Sequence, residues 1–340
     1  MIDTDIHLKG HKMRALVAGA GGFIGGHLVK SLLDDGYEVL GVDIKPIEDW
    51  HQVHDNSLNI YNTDLRSIYY CNEVTKNIDE CYNLACDMGG MGFIENNKAQ
   101  CMISVLINTH LLISGTTNGV SKHFFSSSAC VYAADKQIKD GYDVSPLKES
   151  DAYPAMPEDG YGWEKLFSER MCRHFTEDFN LDTRVARFHN VYGPYGTWTG
   201  GREKAPAAIC RKVIEAKKNG TNEIEIWGDG NQARTFTYIT DCIYGIRQLM
   251  KLEKNNPIEP INIGSSELVT INDLVSIVEE IAGITLDRNY ILDAPKGVPG
   301  RSSNNNLIKE KLGWEPSVSL KQGMEETYKW IEQEYDRNTL

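Results

Sequence analysis

Tyr161 and Lys165 stand four residues apart in the run Tyr-Gly-Trp-Glu-Lys. On a helix that spacing puts both side chains on one face. A lysine ammonium beside a phenol favours the phenolate and lowers the tyrosine pKa. The tyrosine can then take a proton from a substrate hydroxyl while hydride leaves the same carbon. Ser126, Ser127 and Ser128 close a strand-like run upstream, and a hydroxyl there, Ser128 foremost, can hold the same oxygen. A Tyr-x-x-x-Lys pair occurs by chance in many helices, so its weight depends on a hydride acceptor elsewhere in the chain.

Such an acceptor is implied near the N-terminus. Gly19, Gly22 and Gly25 lie between an apolar run at 14–19 and a helical pattern at 23–34. Glycine there lets the backbone turn tightly and approach a pyrophosphate, and the first helical turn (Phe23, Ile24, Gly25) presents N–H groups to it. Asp43 closes the next strand-like run and is placed to accept from the ribose hydroxyls of NAD, while repelling the extra phosphate of NADP. Asp64, in Thr-Asp-Leu-Arg, is a candidate for the adenine amino group or a solvated loop residue.

The elements that must position these residues alternate. Strand-like runs at 14–19, 38–43, 59–63, 80–84, 123–126 and 183–188 are separated by helical patterns at 23–34, 97–116 and 161–179. Alternation of this kind predicts a parallel sheet covered by helices on both faces. The second half is less regular: a Gly- and Pro-rich loop at 194–206, helices at 207–218, 240–251, 271–282 and 320–334, and short strands at 223–227 and 260–263. The expected fold is α/β, a Rossmann-type doubly wound parallel sheet with a smaller C-terminal α/β substrate-binding lobe. Residues 13–188 form the NAD-binding part, with 235–265 crossing back, and 189–340 mainly the other lobe.

The chain has 340 residues, 41% apolar and 24% charged, a globular composition with room for two lobes. A net charge of -13 disfavours nucleic acid and anionic membrane surfaces as partners. No stretch approaches about 18 consecutive apolar residues, and the polar N-terminus lacks the apolar region of a secretory signal. Residues 1–12 are expected to fray as a leader. The eight cysteines are scattered, with no Cys-x-x-Cys pair and no metal-ligand spacing, as for reduced thiols in a cytoplasmic protein without a metal site.

The glycine motif, the Ser-Ser-Ala-Cys-Val-Tyr segment, the Tyr161/Lys165 pair and Arg-Phe-His-Asn-Val-Tyr-Gly-Pro at 187–194 together resemble the extended short-chain dehydrogenase/reductase superfamily, over almost the whole chain. That resemblance implies a nucleotide-sugar substrate and a homodimer built through two helices per subunit. Three segments go further. Residues 87–94 (DMGGMGFI), 127–132 (SSACVY) and 196–208 (GTWTGGREKAPAA) closely resemble the GDP-mannose 3,5-epimerases of that superfamily. In the related 4,6-dehydratases an Asp-Glu pair serves as acid and base where this chain has Ala129-Cys130.

The chemistry implied is as follows. Oxidising C4 of the hexose to a ketone makes the protons on C3 and C5 acidic. One residue removes a proton, and another returns one on the opposite face. The resemblance gives these roles to Cys130 and Lys204, a thiol and an ammonium that can exchange roles when their surroundings shift them. Hydride then returns to C4, so NAD is not consumed.

On the substrate side, Arg234 and Arg301 are candidates for clamping the diphosphate. The resemblance places Lys212 in the same pocket and Asn190 against the nucleotide sugar. Gly89, in the glycine run after Met88, would let the backbone approach the sugar, with Met88 contacting cofactor as well. Glu203 and Gln232 complete this side of the site. The chain departs from the resembling members at Thr199, where a lysine is expected, and across 133–142. Other readings are a nucleotide-sugar 4-epimerase, a C4 dehydrogenase, an epimerase of a modified hexose or heptose, and a non-catalytic NAD-sensing regulator. The presence of Cys130 with Lys204 argues against a pure 4-epimerase, and that of Tyr161 with Lys165 against the regulator.

Overall fold

Seven parallel strands form the central sheet of the protein, described here from a computed structural model covering residues 12–254, 259–295 and 297–339. The expected leader lies almost entirely outside the described residues. The strands are β1 (Arg14–Ala18), β2 (Glu38–Val42), β3 (Leu58–Ile60), β4 (Glu80–Asn83), β5 (Lys122–Ser128), β6 (Asp182–Phe188) and β7 (Ile261–Ile263). Their spatial order is β7-β6-β5-β4-β1-β2-β3, every neighbouring pair parallel. Strands β1, β4 and β6 are buried nearly end to end, as helices on both faces require. The order reverses between β1 and β4, so the crevice beyond their carboxyl ends is where such a sheet binds a ligand.

The site residues cluster at those carboxyl ends. Gly19 follows β1, Asp43 follows β2, Met88 lies beyond β4, Ser128 ends β5 and Asn190 lies just beyond β6. The helix expected at 97–116 is broken into Lys98–Ile103 and Val105–Asn118, and Ser104 at the break accepts the backbone N–H of Asp87 through its hydroxyl. The run 98–118 is long and apolar enough to cross a membrane by length and composition, with 39% of its window buried inside the fold. It packs against Ile68–Val74 and Tyr161–Phe179 as a sheet-covering helix does.

Beyond β6 a second core forms from Val213, Ile214, Leu274, Val278, Met324 and Ile331. They come from the helices Ala205–Asn219, Ile271–Ala282 and Leu320–Thr339. A three-stranded sheet of Leu268–Thr270, Ala233–Thr235 and Gly300–Arg301 places Arg301 level with Arg234 on neighbouring strands. The irregular sequence around both arginines carried no strand signal.

Candidate active site

The glycine motif is required by geometry. A Cβ on Gly19, whose φ is +87°, would lie 2.9 Å from the backbone nitrogen of Ala85, and one on Gly25 would lie 2.0 Å from the Gly19 carbonyl oxygen. The helix Phe23–Asp34 opens at Gly22 with no side-chain cap and no acidic residue in its first turn. Its first N–H groups, at Phe23, Ile24 and Gly25, are therefore left for an external anion. They border a cavity of about 740 Å³ that also reaches Asp43 and Asp64. Asp43 accepts the N–H groups of Gly21 (2.9 Å) and Lys45 (3.0 Å), which fix its carboxylate at the cavity wall. Asp64 is held bidentate by Arg66, so any adenine contact shares it with that guanidinium. An uncapped, acid-free helix terminus beside a fixed carboxylate fits the pyrophosphate and ribose of NAD.

A second cavity, of about 340 Å³, adjoins the first. Both are lined by Met88, Gly89, Ser128, Tyr161, Phe188 and Lys204, so the two meet at the proposed catalytic groups. Tyr161 opens the helix Tyr161–Phe179, and Lys165 lies one turn on, 5.5 Å from the Tyr161 ring centroid. Burial pushes the Tyr161 phenol well above the usual tyrosine range, Cys86 and Cys130 add to the shift, and the Ser128 hydroxyl opposes it. The Lys165 ammonium is also shared with Glu164 at 3.5 Å. Burial works against the Lys165 charge, but Cys86 and Glu164 outweigh it and keep the lysine protonated.

Cys130 and Lys204 also come together. Cys130 lies in a short 3-10 turn after β5, where its N–H donates to the Ser128 hydroxyl at 3.2 Å. Its carbonyl accepts the N–H of Glu158 at 2.9 Å, and a Cβ on Gly162 would lie 2.4 Å from that carbonyl oxygen. The thiol is thus fixed to the segment that carries Tyr161. Lys204 is not a loop lysine: it is the N-cap of Ala205–Asn219, two residues earlier than the expected helix start. Burial lowers its pKa, against an upward pull from Cys130. The positive end of the helix dipole works in the same direction as burial. Burial and then Glu158 push the Cys130 thiol up to about 11, against the pull of Arg301.

The substrate-side residues share the smaller cavity. Gln232 donates to the Trp227 carbonyl at 2.7 Å, while its Oε1 is buried without a partner among the described residues. Asn190, at φ +44°, donates to the Thr235 carbonyl. Lys212 is anchored to Glu225, and Glu203 accepts from Arg211 and from the Gly201 N–H, so both are braced at the wall. Arg234 donates to the carbonyls of Ala233, Pro299 and Val298. Burial, then the Arg301 charge, disfavours its cation, a strain that an anionic ligand would relieve. Gly89 borders both cavities, and the glycine run also serves the chain's own packing: a Cβ on Gly90 would lie 2.6 Å from the Glu203 carbonyl oxygen, and one on Gly89 2.8 Å from the Phe93 side chain.

Arg301 departs furthest from expectation. It is 5% exposed, donates from Nε to Gln137 Oε1 at 2.6 Å and from Nη2 to Glu158, and directs Nη1 at the Cys130 sulfur at 3.6 Å. Sequence reading named neither Gln137 nor Glu158. Glu158 stands three residues before Tyr161, and that nearness was the available signal; Gln137 gave none. Arg301→Ala is therefore expected to do more than raise the Michaelis constant about tenfold by losing a charge-assisted contact. Leaving Glu158 unpaired should also cost on the order of 3 kcal/mol of stability in a denaturant titration. Adding Glu158→Gln to Arg301→Ala should restore part of that stability but not the Michaelis constant. Equal stability of Arg301→Ala and the parent would show that the pair carries no weight.

The sequence model of the NAD dependent epimerase/dehydratase family matches residues 15–264. GDP-mannose 3,5-epimerase 1 of Oryza sativa subsp. japonica is 44% identical over 99% of this chain and 86% of its own length. GDP-mannose 3,5-epimerase of Arabidopsis thaliana is 42% identical over the same shares. Among solved structures, UDP-glucuronic acid 4-epimerase from Bacillus cereus, in complex with UDP-glucuronic acid and NAD, superposes with a TM-score of 0.80 at 27% identity, covering 95% of this chain and 100% of that one.

Proposed function

The chain belongs to the NAD dependent epimerase/dehydratase family, and on that footing we propose that it is a GDP-mannose 3,5-epimerase, converting GDP-mannose to GDP-L-galactose. The observation that carries this reading is 42–44% identity to such enzymes along 99% of the chain. The meeting of Cys130, Lys204, Ser128 and Tyr161 in adjoining cavities supports it.

NAD, when bound, supplies the hydride acceptor for C4 and gives the hydride back at the end. The chain's own residues do the rest. Ser128 hydrogen-bonds the C4 oxygen and Tyr161 takes its proton, with Lys165 holding positive charge beneath. The C4 ketone acidifies C3 and C5 of the sugar. Cys130 and Lys204 then remove and return the carbon-bound protons, and Tyr161 gives its proton back to C4 oxygen. The cations Arg234, Arg301 and Lys212 face the diphosphate. The seven-stranded part, residues 13–188 with 235–265 crossing back, holds NAD, and the remainder mainly holds the sugar nucleotide.

The protein is a homodimer in this reading. The outward faces of Val105–Asn118 and Tyr161–Phe179 expose Leu106, Ile113, Trp163 and Phe167, an apolar surface that two copies would cover symmetrically. Purified protein given GDP-mannose should interconvert it with no net reduced cofactor. Stoichiometric accumulation of NADH would instead indicate a dehydrogenase.

A further inference from the structure

Two segments that the sequence sets apart, 87–94 and 196–208, clasp each other through side chains with no part in the chemistry so far. Asp87 is fixed first. Its N–H donates to the Ser104 hydroxyl at 3.0 Å, and Gln100 donates to one of its carboxylate oxygens. Arg202, 115 residues away in the chain, donates from Nη1 to the other oxygen at 2.6 Å. The same guanidinium lies 3.9 Å from the centroid of the Phe93 ring, and the Arg202 carbonyl accepts the Gly90 N–H at 3.0 Å. An ion pair as exposed as this one, 45% on the arginine side, contributes little alone. The ring face and the backbone bond add two further attachments to the same segment.

The strap at 200–203 needs such an anchor. Gly200 and Gly201 have φ of +89° and +86°, and a Cβ on either would meet nothing within 4 Å among the described residues. Glu203 is braced only within its own lobe, by Gly201 and Arg211. Lys204, next in the chain, makes no side-chain capping bond at the helix it opens. The strap also runs where the two cavities meet. Arg202 borders the larger with Asp87 and Gln100, Gly201 and Glu203 border the smaller, and Lys204 borders both.

We propose that Arg202 is a positioning residue: by clasping Asp87 and Phe93 it fixes the 200–203 strap, and through the strap the place of Lys204 at the junction of the two cavities. This rests on the epimerase reading for what Lys204 does with the sugar. Tyr161, Lys165 and Ser128 sit on other elements, so the clasp bears on the exchange of carbon-bound protons and not on hydride transfer at C4. A displacement of about 1 Å in a reacting group can cost on the order of 10²-fold in rate, so a modest loosening of the strap has a measurable effect.

The test has two arms on the NAD-loaded protein. Without sugar, backbone amide exchange is read by mass spectrometry on peptides carrying residues 200–205. Arg202→Ala and Asp87→Asn should each speed exchange there about fivefold, the two together no further, and the strand Lys122–Ser128 should be unchanged. With GDP-mannose in heavy water, Arg202→Ala should slow deuterium entry at C3 and C5 about tenfold, while single-turnover formation of bound NADH stays within about twofold. A general loss of fold would lower both rates alike. A strap profile that superimposes on the parent, multiplying effects of the two substitutions, or NADH formation that falls as far as deuterium entry overturns the proposal. Release of NAD from Arg202→Ala overturns it too, making Arg202 a cofactor contact. A parent that takes up no deuterium ends the epimerase reading instead, and the amide-exchange arm still decides the clasp.

Discussion

Tyr161→Phe is expected to stop the reaction at its first step, with no reduced cofactor, no ketone, and no exchange of solvent deuterium into C3 or C5. The hydroxyl removed is the one placed beside Ser128 at the junction of the two cavities. Loss of a positioned acid/base group costs roughly 10²- to 10⁴-fold in rate. The ring itself remains, so the packing of Tyr161 against Ile94, Cys101 and Cys130 should hold and NAD should stay bound. Exchange at C3 and C5 must fall with the oxidation, because those protons are acidic only next to the ketone. Deuterium entering C3 or C5 at the parental rate in Tyr161→Phe would show that their acidity does not come from C4.

Cys130→Ser should behave in the opposite way. The tyrosine, lysine and cofactor cradle are untouched, so C4 oxidation continues, and bound reduced cofactor with a 4-keto sugar should be detectable by absorbance and mass spectrometry. Deuterium exchange at C3 and C5 should fall by about 10²-fold or more, since a serine hydroxyl is far harder to ionise than a thiol and far weaker as a proton donor. Cys130 is 7% exposed, and serine keeps its size, so the fold should survive. Unchanged exchange at both carbons would remove the thiol from the chemistry. The pair of variants orders the steps: one loses oxidation and exchange together, the other loses exchange alone.

Much of this site was legible because it is local. The glycine motif, Asp43 and the Tyr161/Lys165 pair each depend on one strand end or one helical turn, and short-range pattern marks those well. The serine end of β5 carried the same kind of signal. What sequence did not reveal is set by pairing at long range. Arg301 and Arg234 meet because residues 300–301 lie beside 233–235 in a small sheet with no periodic pattern. The charge state of Cys130 depends on a carboxylate and a guanidinium 28 and 171 residues away in the chain. The Gly89–Gly90 run was read for a ligand; Gly89 does border both cavities, but that Gly90 must also admit the Glu203 backbone is set by a contact more than a hundred residues away in the chain. Lys204 was read as a loop residue under a family role; its place at the N-cap of a 15-residue helix supplies a physical reason for that role.

The most direct measurement is incubation of the purified, NAD-loaded protein with GDP-mannose in heavy water, followed by NMR and mass spectrometry of the sugar. The expected result is one solvent deuterium at C3 and one at C5, inverted configuration at both, hydrogen retained at C4, and no accumulated NADH. Inversion confined to C4 with no deuterium incorporated would contradict it and make the protein a 4-epimerase.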